Sequence, residues 1–172
     1  TVSEDKGIFP IFRIVDRLRG MYAFVIWDTK KKRLFGARDI FGIKPFYYAQ
    51  MNQTFLFASE IKAFMEHPKF DKIFNEDALG NYLSFQFVPT NETFFKGVFC
   101  LQPGHYFIYE DGKMEISRYF EPNFTGKYEK TFDEAAAEVE KVMKESVEKH
   151  KISDVEVASY LSSGVDSSYL TY

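Results

Sequence analysis

The sequence has little of what marks several large classes of protein. It contains one cysteine, Cys100, which excludes an internal disulfide framework and favours a reducing, cytoplasmic location. No apolar run approaches the roughly 20 residues that span a bilayer. The formal net charge is −3, so no basic footprint predicts nucleic-acid or membrane partners. The three histidines stand at spacings unlike those of metal sites.

Aromatic residues are abundant, at 19% of the chain, with 20 Phe and 11 Tyr. Such a composition provides ample material for a large core. The first residue is Thr1 rather than Met, and Tyr172 ends the chain inside a helix-like pattern. We therefore expect the chain to be a piece of a longer protein.

Residues 20–120 carry the alternating pattern of antiparallel strands. Tyr22, Phe24 and Ile26 alternate with Ala23, Val25 and Trp27 before a polar turn. A second strand–turn–strand pattern has its turn at Asn52. The Asp111-Gly112 pair is the favoured signal of a two-residue hairpin. Short helices are predicted between the hairpins, one ending before Pro68 and one with Asn75 as its N-cap.

The pattern changes near residue 125, after a polar stretch that suits a linker. Thr131 and Glu134 form a capping-box pattern at the start of the clearest predicted helix. The run "DVEVASYL", residues 154–161, predicts a buried strand, and a loop of small residues and a second helix follow. Helix, strand, loop and helix in this order indicate an α/β domain.

The loop "LSSGVDSS", residues 161–168, has the chemistry of a phosphate cradle. Small residues at a strand-to-helix turn let an anion approach unpaired backbone N–H groups and the positive end of the helix dipole. Asp166 suits this site if Mg²⁺ lies between its carboxylate and the phosphates. From local chemistry alone, capping of the helix by Ser and Asp side chains is about equally probable. No Walker A ending is present.

The same loop resembles the pyrophosphate-loop motif of the ATP-pyrophosphatase superfamily, Ser-Gly-Gly-x-Asp-Ser, with Ser163 at a position that is normally Gly. Upstream, the runs "RLRGMYAFVIWD", "ARDIFGIKPFYY", "FASEIKAFMEHP", "YLSFQFVPTNETFFKGV", "LQPGHY" and "RYFEP" occur in this order. Together they resemble the glutaminase domain of the glutamine-hydrolysing asparagine synthetase family, followed by the start of its synthetase domain.

This resemblance implies a fold and two domains. Residues 1–122 would be part of a class II glutaminase domain, an Ntn-type αββα sandwich with antiparallel sheets. Residues 123–172 would begin a parallel α/β domain of the ATP-pyrophosphatase kind, with its first helix, strand and loop. An incomplete sandwich exposes sheet edges, so we expect the isolated piece to aggregate or to need a partner.

The resemblance also implies an activity for the whole protein: aspartate becomes asparagine through an adenylated intermediate, with ATP as activator and ammonia from glutamine. The small-molecule partners would be aspartate, glutamine and ATP, and a homodimer stays open. Asp166 would bind Mg²⁺. The implied ATP-binding residues are Leu161, Ser162, Ser163, Gly164, Val165, Asp166, Ser167 and Ser168.

Several residues depart from the family pattern or have alternative interpretations. The family nucleophile is an N-terminal Cys, whereas Thr1 stands here and Cys100 reads as a buried structural residue, so no catalytic residue is assigned and the piece should be inactive. The stretch 1–16 matches the family poorly. We expect Arg38 and Asp39 to form a structural ion pair and a turn rather than a catalytic pair.

Two other functions remain open at this stage. One is a β-lactam-synthetase-like ligase, or a related amidotransferase, with a different carboxylate substrate. The other is a non-catalytic module that binds nucleotide or a protein partner.

Overall fold

The computed structural model describes residues 14–51, 54–126 and 129–172. The chain forms two compact units, residues 1–122 (unit 1) and residues 123–172 (unit 2). Within the described residues, none of the helices has the length and apolar character needed to cross a bilayer.

Unit 1 is built from two antiparallel sheets. Sheet A has the order β1-β2-β6-β7 and sheet B the order β4-β3-β5. A 3-10 helix, Ile61–Glu66, and helix α1, Glu76–Phe85, lie between β4 and β5 in the chain. The strands are β1 Ala23–Asp28, β2 Arg33–Arg38, β3 Tyr47–Met51, β4 Thr54–Ala58, β5 Val98–Cys100, β6 His105–Glu110 and β7 Lys113–Arg118. The predicted antiparallel sheets with short helices are confirmed.

The main core of unit 1 lies between the two sheets. Phe107 of sheet A is fully buried, and the Phe55 ring of sheet B lies 5.5 Å from it and 4.5 Å from the Tyr109 ring. The outer face of sheet A packs a second apolar cluster that includes Val15 and Phe35, and sheet B packs a third that includes Phe64. Each sheet is therefore covered by apolar side chains on both faces.

The hairpin turns follow the sequence where the local signal is strong. In the β6–β7 hairpin Glu110 pairs with Lys113, and the two turn residues, Asp111 and Gly112, have φ values of 49° and 76°. Positive φ at both positions is the type I′ geometry that the Asp-Gly pair favours. The predicted turn at Asn52 lies outside the described residues.

Unit 2 contains helix α2, Phe132–His150, and helix α3, Val165–Thr171. The predicted capping box is confirmed: the Glu134 amide donates to the Thr131 hydroxyl at 3.4 Å, and the Thr131 amide donates to the Glu134 carboxylate at 2.9 Å. His150 contacts the Ser146 carbonyl at 2.8 Å in the last turn. Local capping thus fixes both ends of α2.

The predicted buried strand at residues 154–161 is not formed. These residues belong to no strand, and all eight are exposed. A strand requires backbone partners on a neighbouring strand. The described residues of unit 2 provide no such neighbour, so the alternating Val155 and Val157 stay in solvent.

Candidate functional site

The loop at residues 161–168 forms a closed turn that leads into α3. The Ser167 hydroxyl closes it: the Ser162 amide donates to this oxygen at 3.2 Å, and the Ser162 and Ser167 hydroxyls are 3.0 Å apart. The same Ser167 hydroxyl donates to the Gly164 carbonyl at 3.1 Å. Two serines that are five positions apart therefore shape the turn.

Side-chain capping does not explain the serines and aspartate of this loop. The N-cap of α3 is Gly164, and no side chain makes a capping hydrogen bond there. The first backbone N–H groups of α3 have no acceptor inside the helix, as at any helix start. The simple capping hypothesis is therefore wrong for this turn.

Ser163 adopts a backbone conformation that L-residues rarely populate. Its φ is +61°, in the left-handed region. A side chain costs roughly 1–2 kcal/mol in that region relative to the right-handed one, whereas Gly adopts it readily. The position at which the resembled motif carries Gly is thus a position where this turn needs positive φ.

Asp166 lies in the first turn of α3, at the positive end of the helix dipole, and is exposed. Within the described ranges, no group of three or more His, Cys, Asp or Glu side chains could hold a metal ion. Mg²⁺ is usually held by one or two carboxylates together with phosphate oxygens and water. One carboxylate in this turn would hold Mg²⁺ only together with further oxygen ligands, such as the phosphates of a bound nucleotide.

The predicted ATP-binding residues lie in one continuous surface segment. Leu161 is 63% exposed and Val165 86% exposed, and only Ser167 is partly buried. The small and polar residues of the segment therefore lie around the turn, and the side chains of Leu161 and Val165 are exposed to solvent.

Asp39 in unit 1 organises the turn between β2 and β3. Its side chain accepts backbone N–H groups from Tyr22 at 3.3 Å, Phe41 at 3.2 Å, Ile43 at 3.0 Å and Lys44 at 3.0 Å. Burial acts to raise the pKa of this carboxyl, but the four N–H donors outweigh burial and hold the pKa below its ordinary value.

Arg38 makes no ion pair with Asp39, so that part of the prediction is wrong. Its guanidinium donates to the carbonyls of Lys44 at 2.7 Å, Leu101 at 2.6 Å and Gly42 at 2.5 Å. Arg38 is the last residue of β2 and Asp39 begins the following turn, and the two charges serve different backbone groups. Both residues are structural, as expected, and every contact that they make is architectural.

Cys100 was predicted to be a buried structural residue, but it is only partly buried. The thiol is partly buried at the end of β5, and the Arg38 guanidinium donates to its sulfur at 3.1 Å. No base or second nucleophile contacts the sulfur among the described residues. Nothing in this geometry makes Cys100 a catalytic residue.

Sequence analysis missed a pair of tyrosines that holds the same turn. The Tyr119 hydroxyl donates to the Arg38 carbonyl at 2.6 Å and lies 2.8 Å from the Tyr22 hydroxyl. Burial raises the pKa of Tyr119, and the hydrogen bond to Tyr22 raises it further. The two tyrosines are 97 positions apart, so no local pattern connects them. The only signal was the run "RYFEP", which had no assigned role.

Comparison with known families places this architecture in a class. The sequence-family model of the glutamine amidotransferase domain matches residues 12–120, and that of asparagine synthase matches residues 138–172. The first match covers most of the chain, and the chain belongs to the glutamine amidotransferase domain family.

Individual relatives of known name are similar to this chain over almost its whole length. Asparagine synthetase (glutamine-hydrolyzing) 1 of Bacillus subtilis is 43% identical over 176 residues, covering 99% of this chain and 28% of the relative. Putative asparagine synthetase (glutamine-hydrolyzing) 2 of Methanocaldococcus jannaschii is 34% identical, covering 91% of this chain and 31% of its own length. Amidase chry2 of Gibberella zeae is 34% identical, with coverages of 90% and 23%. The chain thus spans about a quarter of the length of these relatives.

Proposed function

We propose that this chain belongs to a glutamine-hydrolysing asparagine synthetase, a carbon–nitrogen ligase that amidates aspartate with ammonia from glutamine at the expense of ATP. The observation that carries the proposal is the order of the two family matches along one chain, at residues 12–120 and 138–172. The names of the B. subtilis and M. jannaschii relatives support the same activity.

In this proposal the two units have different roles. Unit 1 is part of the glutaminase domain, and unit 2 begins the ATP-pyrophosphatase domain. Residues 154–161 would then become a strand of a parallel sheet once neighbouring strands pair with their backbone groups. We assign no residue of this chain as the glutaminase nucleophile, and we therefore expect the chain alone to be inactive. We propose that the whole enzyme is cytoplasmic.

The turn at residues 161–168 would hold the nucleotide. Backbone N–H groups at the start of α3 would bind the phosphates, and the Ser162–Ser167 contact would keep the turn closed around them. Asp166 would bind Mg²⁺ on the phosphates. ATP bound there would transfer its AMP group to the aspartate carboxylate with release of pyrophosphate, and ammonia would then displace AMP. Leu161, Ser163, Val165 and Ser168 complete the proposed segment, with Leu161 toward the adenine.

A second candidate is an amidotransferase with another acceptor. Amidase chry2 is as similar to this chain, at 34% identity, as the M. jannaschii relative is. The matched residues therefore do not fix the acceptor. Assaying the full-length protein with glutamine and ATP distinguishes the two: AMP release that depends on aspartate supports asparagine synthesis, and release with a different carboxylate supports the alternative.

Replacing Asp166 should weaken nucleotide binding. We expect Asp166→Ala in the full-length protein to reduce ATP affinity at least tenfold in the presence of Mg²⁺, because the metal loses its only protein carboxylate in this turn. Isothermal titration measures the effect. Asp133→Ala is the matched control, because Asp133 also lies in the first turn of a helix, α2, but is not part of the loop at residues 161–168. Equal affinities for both variants would contradict the assignment of the cradle.

Replacing Ser163 with glycine should stabilise the turn. We expect Ser163→Gly to raise the free energy of unfolding by about 1 kcal/mol, because the residue has positive φ. Ser163→Ala is the control, since it removes the hydroxyl and keeps the strained Cβ. Urea denaturation of both variants measures the difference. A gain shared by Ser163→Ala would mean that the hydroxyl, and not the backbone, is the source of strain.

A further inference from the structure

A polar cavity in unit 1 is lined by residues of both sheets, among them Tyr48 of sheet B and Arg118 of sheet A. Its volume is about 380 Å³. His105 of β6 stands directly opposite Arg118 of β7. His105 stands two positions before the core residue Phe107, and Arg118 two positions after Ile116, the partner of Phe107 in the ladder, so both side chains lie on the face of sheet A that faces sheet B. The lining residues are Tyr48, Asn91, Cys100, Gln102, His105, Ile116 and Arg118.

Side chains that can donate hydrogen bonds dominate this cavity, and none of its lining residues within the described ranges carries a carboxylate. Arg118 uses Nε on the Phe120 carbonyl at 3.0 Å and Nη1 on Glu121 at 3.0 Å, which leaves the two N–H groups of Nη2. The Gln102 amide makes no hydrogen bond within the described part of the chain. Burial raises the pKa of Tyr48, so its hydroxyl keeps its proton and can donate.

His105 adds a ring nitrogen whose hydrogen-bonding role is fixed by the Pro103 carbonyl. Its Nδ1 lies 2.8 Å from the Pro103 carbonyl. A carbonyl can only accept, so Nδ1 carries the proton and Nε2 is the nitrogen left for a ligand. The hydroxyl of a protonated oxyanion can donate to Nε2, which is an acceptor in this tautomer. The titratable lining groups near His105 are Arg118, Tyr48 and Cys100, and none of them is a competing carboxylate.

We propose that this cavity binds a small oxyanion, a phosphate or a carboxylate, between Arg118, His105 and the side-chain amide of Gln102. The volume suits an inorganic anion or the anionic end of a small metabolite. None of its lining residues belongs to the turn at residues 161–168, so the proposal does not depend on the nucleotide site. Glu121 neutralises part of the Arg118 charge outside the lining, and this favours a singly charged ligand over a polyphosphate.

Equilibrium dialysis of the full-length protein against labelled phosphate, and separately against labelled acetate, tests the proposal. We expect saturable binding of at least one anion, and the stronger of the two identifies the source of the charge. Arg118→Gln should weaken it at least tenfold, and Arg118→Lys less, because Lys keeps the charge but not the planar fork. His105→Gln should also weaken it, and it leaves the Arg118–Glu121 pair in place.

Two controls keep the result interpretable. Lys113→Gln removes a positive charge from the same strand, outside the cavity, and should bind the anion as the unmodified protein does. Asp166→Ala should leave binding in this cavity unchanged. Thermal unfolding midpoints show that each variant is folded. Absence of saturable binding to the unmodified protein, or equal binding by the Arg118→Gln and Lys113→Gln variants, would overturn the proposal.

Discussion

Replacing Asp39 with Asn is expected to lower the free energy of unfolding of unit 1 by about 3 kcal/mol. Asp39 is 1% exposed and accepts four backbone N–H groups. In the variant one oxygen becomes an NH₂ group that faces donors from Tyr22 and Lys44. A buried donor without an acceptor costs about 1–3 kcal/mol, and total stabilities are about 5–15 kcal/mol. Chemical denaturation with a fluorescence signal from Trp27 measures the loss.

The pH dependence gives a second readout of the same group. The pKa of Asp39 is lower in the folded protein than its ordinary value. Its contribution to stability is therefore fully present above the unfolded pKa of about 3.9 and is lost as the pH falls through the folded value. Unfolding free energies should fall less steeply below about pH 4 in Asp39→Asn than in the unmodified protein. Parallel profiles for the two proteins would contradict this role.

Asp28→Asn is the matched control for Asp39. Asp28 also accepts two backbone N–H groups in a turn, from Lys30 and Lys31, both at 3.0 Å. Asp28 is partly exposed and Lys30 and Lys31 are exposed, so water can replace the lost acceptor, and the Asn oxygen can still face Arg33, which lies 3.8 Å from the Asp28 carboxylate. We expect a much smaller effect than for Asp39. Similar losses for both variants would mean that burial of the Asp39 contacts is not the cause.

Replacing Gly36 with Ala should cost about 3 kcal/mol, because a methyl group at this position has no room. A Cβ built on Gly36 would lie 2.2 Å from Cε1 of Phe107, and that ring is fully buried between the sheets. The neighbouring strands β2 and β6 pair Gly36 with Phe107 directly, so backbone movement would break the register. Thermal and chemical unfolding of the variant measure the cost.

A double-mutant cycle separates overpacking from other causes. In a Phe107→Leu background the smaller side chain leaves space, and the cost of Gly36→Ala should fall to under about 1 kcal/mol. Gly80→Ala is the control of opposite sign, since Gly80 lies within α1 and a Cβ there meets nothing within 4 Å. It should raise stability by roughly 0.5–1 kcal/mol. An unchanged cost of Gly36→Ala in both backgrounds would exclude the clash as its origin.

Elements specified by neighbouring residues could be predicted from the sequence. The Asp111-Gly112 hairpin and the Thr131–Glu134 capping box each depend on a few consecutive residues, and both are confirmed. The strand at residues 154–161 was predicted from the run "DVEVASYL" alone. Such a run indicates that a strand is favoured, but hydrogen bonds to other strands decide whether it forms. The described residues of unit 2 supply none.

The candidate sites divide in the same way. The serines and Gly164 of the turn are consecutive, so their position before a helix was predictable, whereas their role in binding ATP stays a prediction. The interactions of Arg38 with Leu101 and of Tyr22 with Tyr119 join residues 63 and 97 positions apart. Charge adjacency suggested a pair between Arg38 and Asp39. The backbone groups that they serve could be identified only in three dimensions.

The order of sheet A has a consequence for the speed of folding. Strands β1 and β2 form one hairpin and β6 and β7 another, and the sheet joins them through the β2–β6 pairing of Gly36 with Phe107. Each hairpin closes a short loop, an event of about 1–10 μs. The pairing between them brings together segments some 70 residues apart, with a larger entropic cost. We expect the meeting of the two preformed hairpins to limit the rate, and substitutions in the β2–β6 contact to slow refolding more than those in either turn.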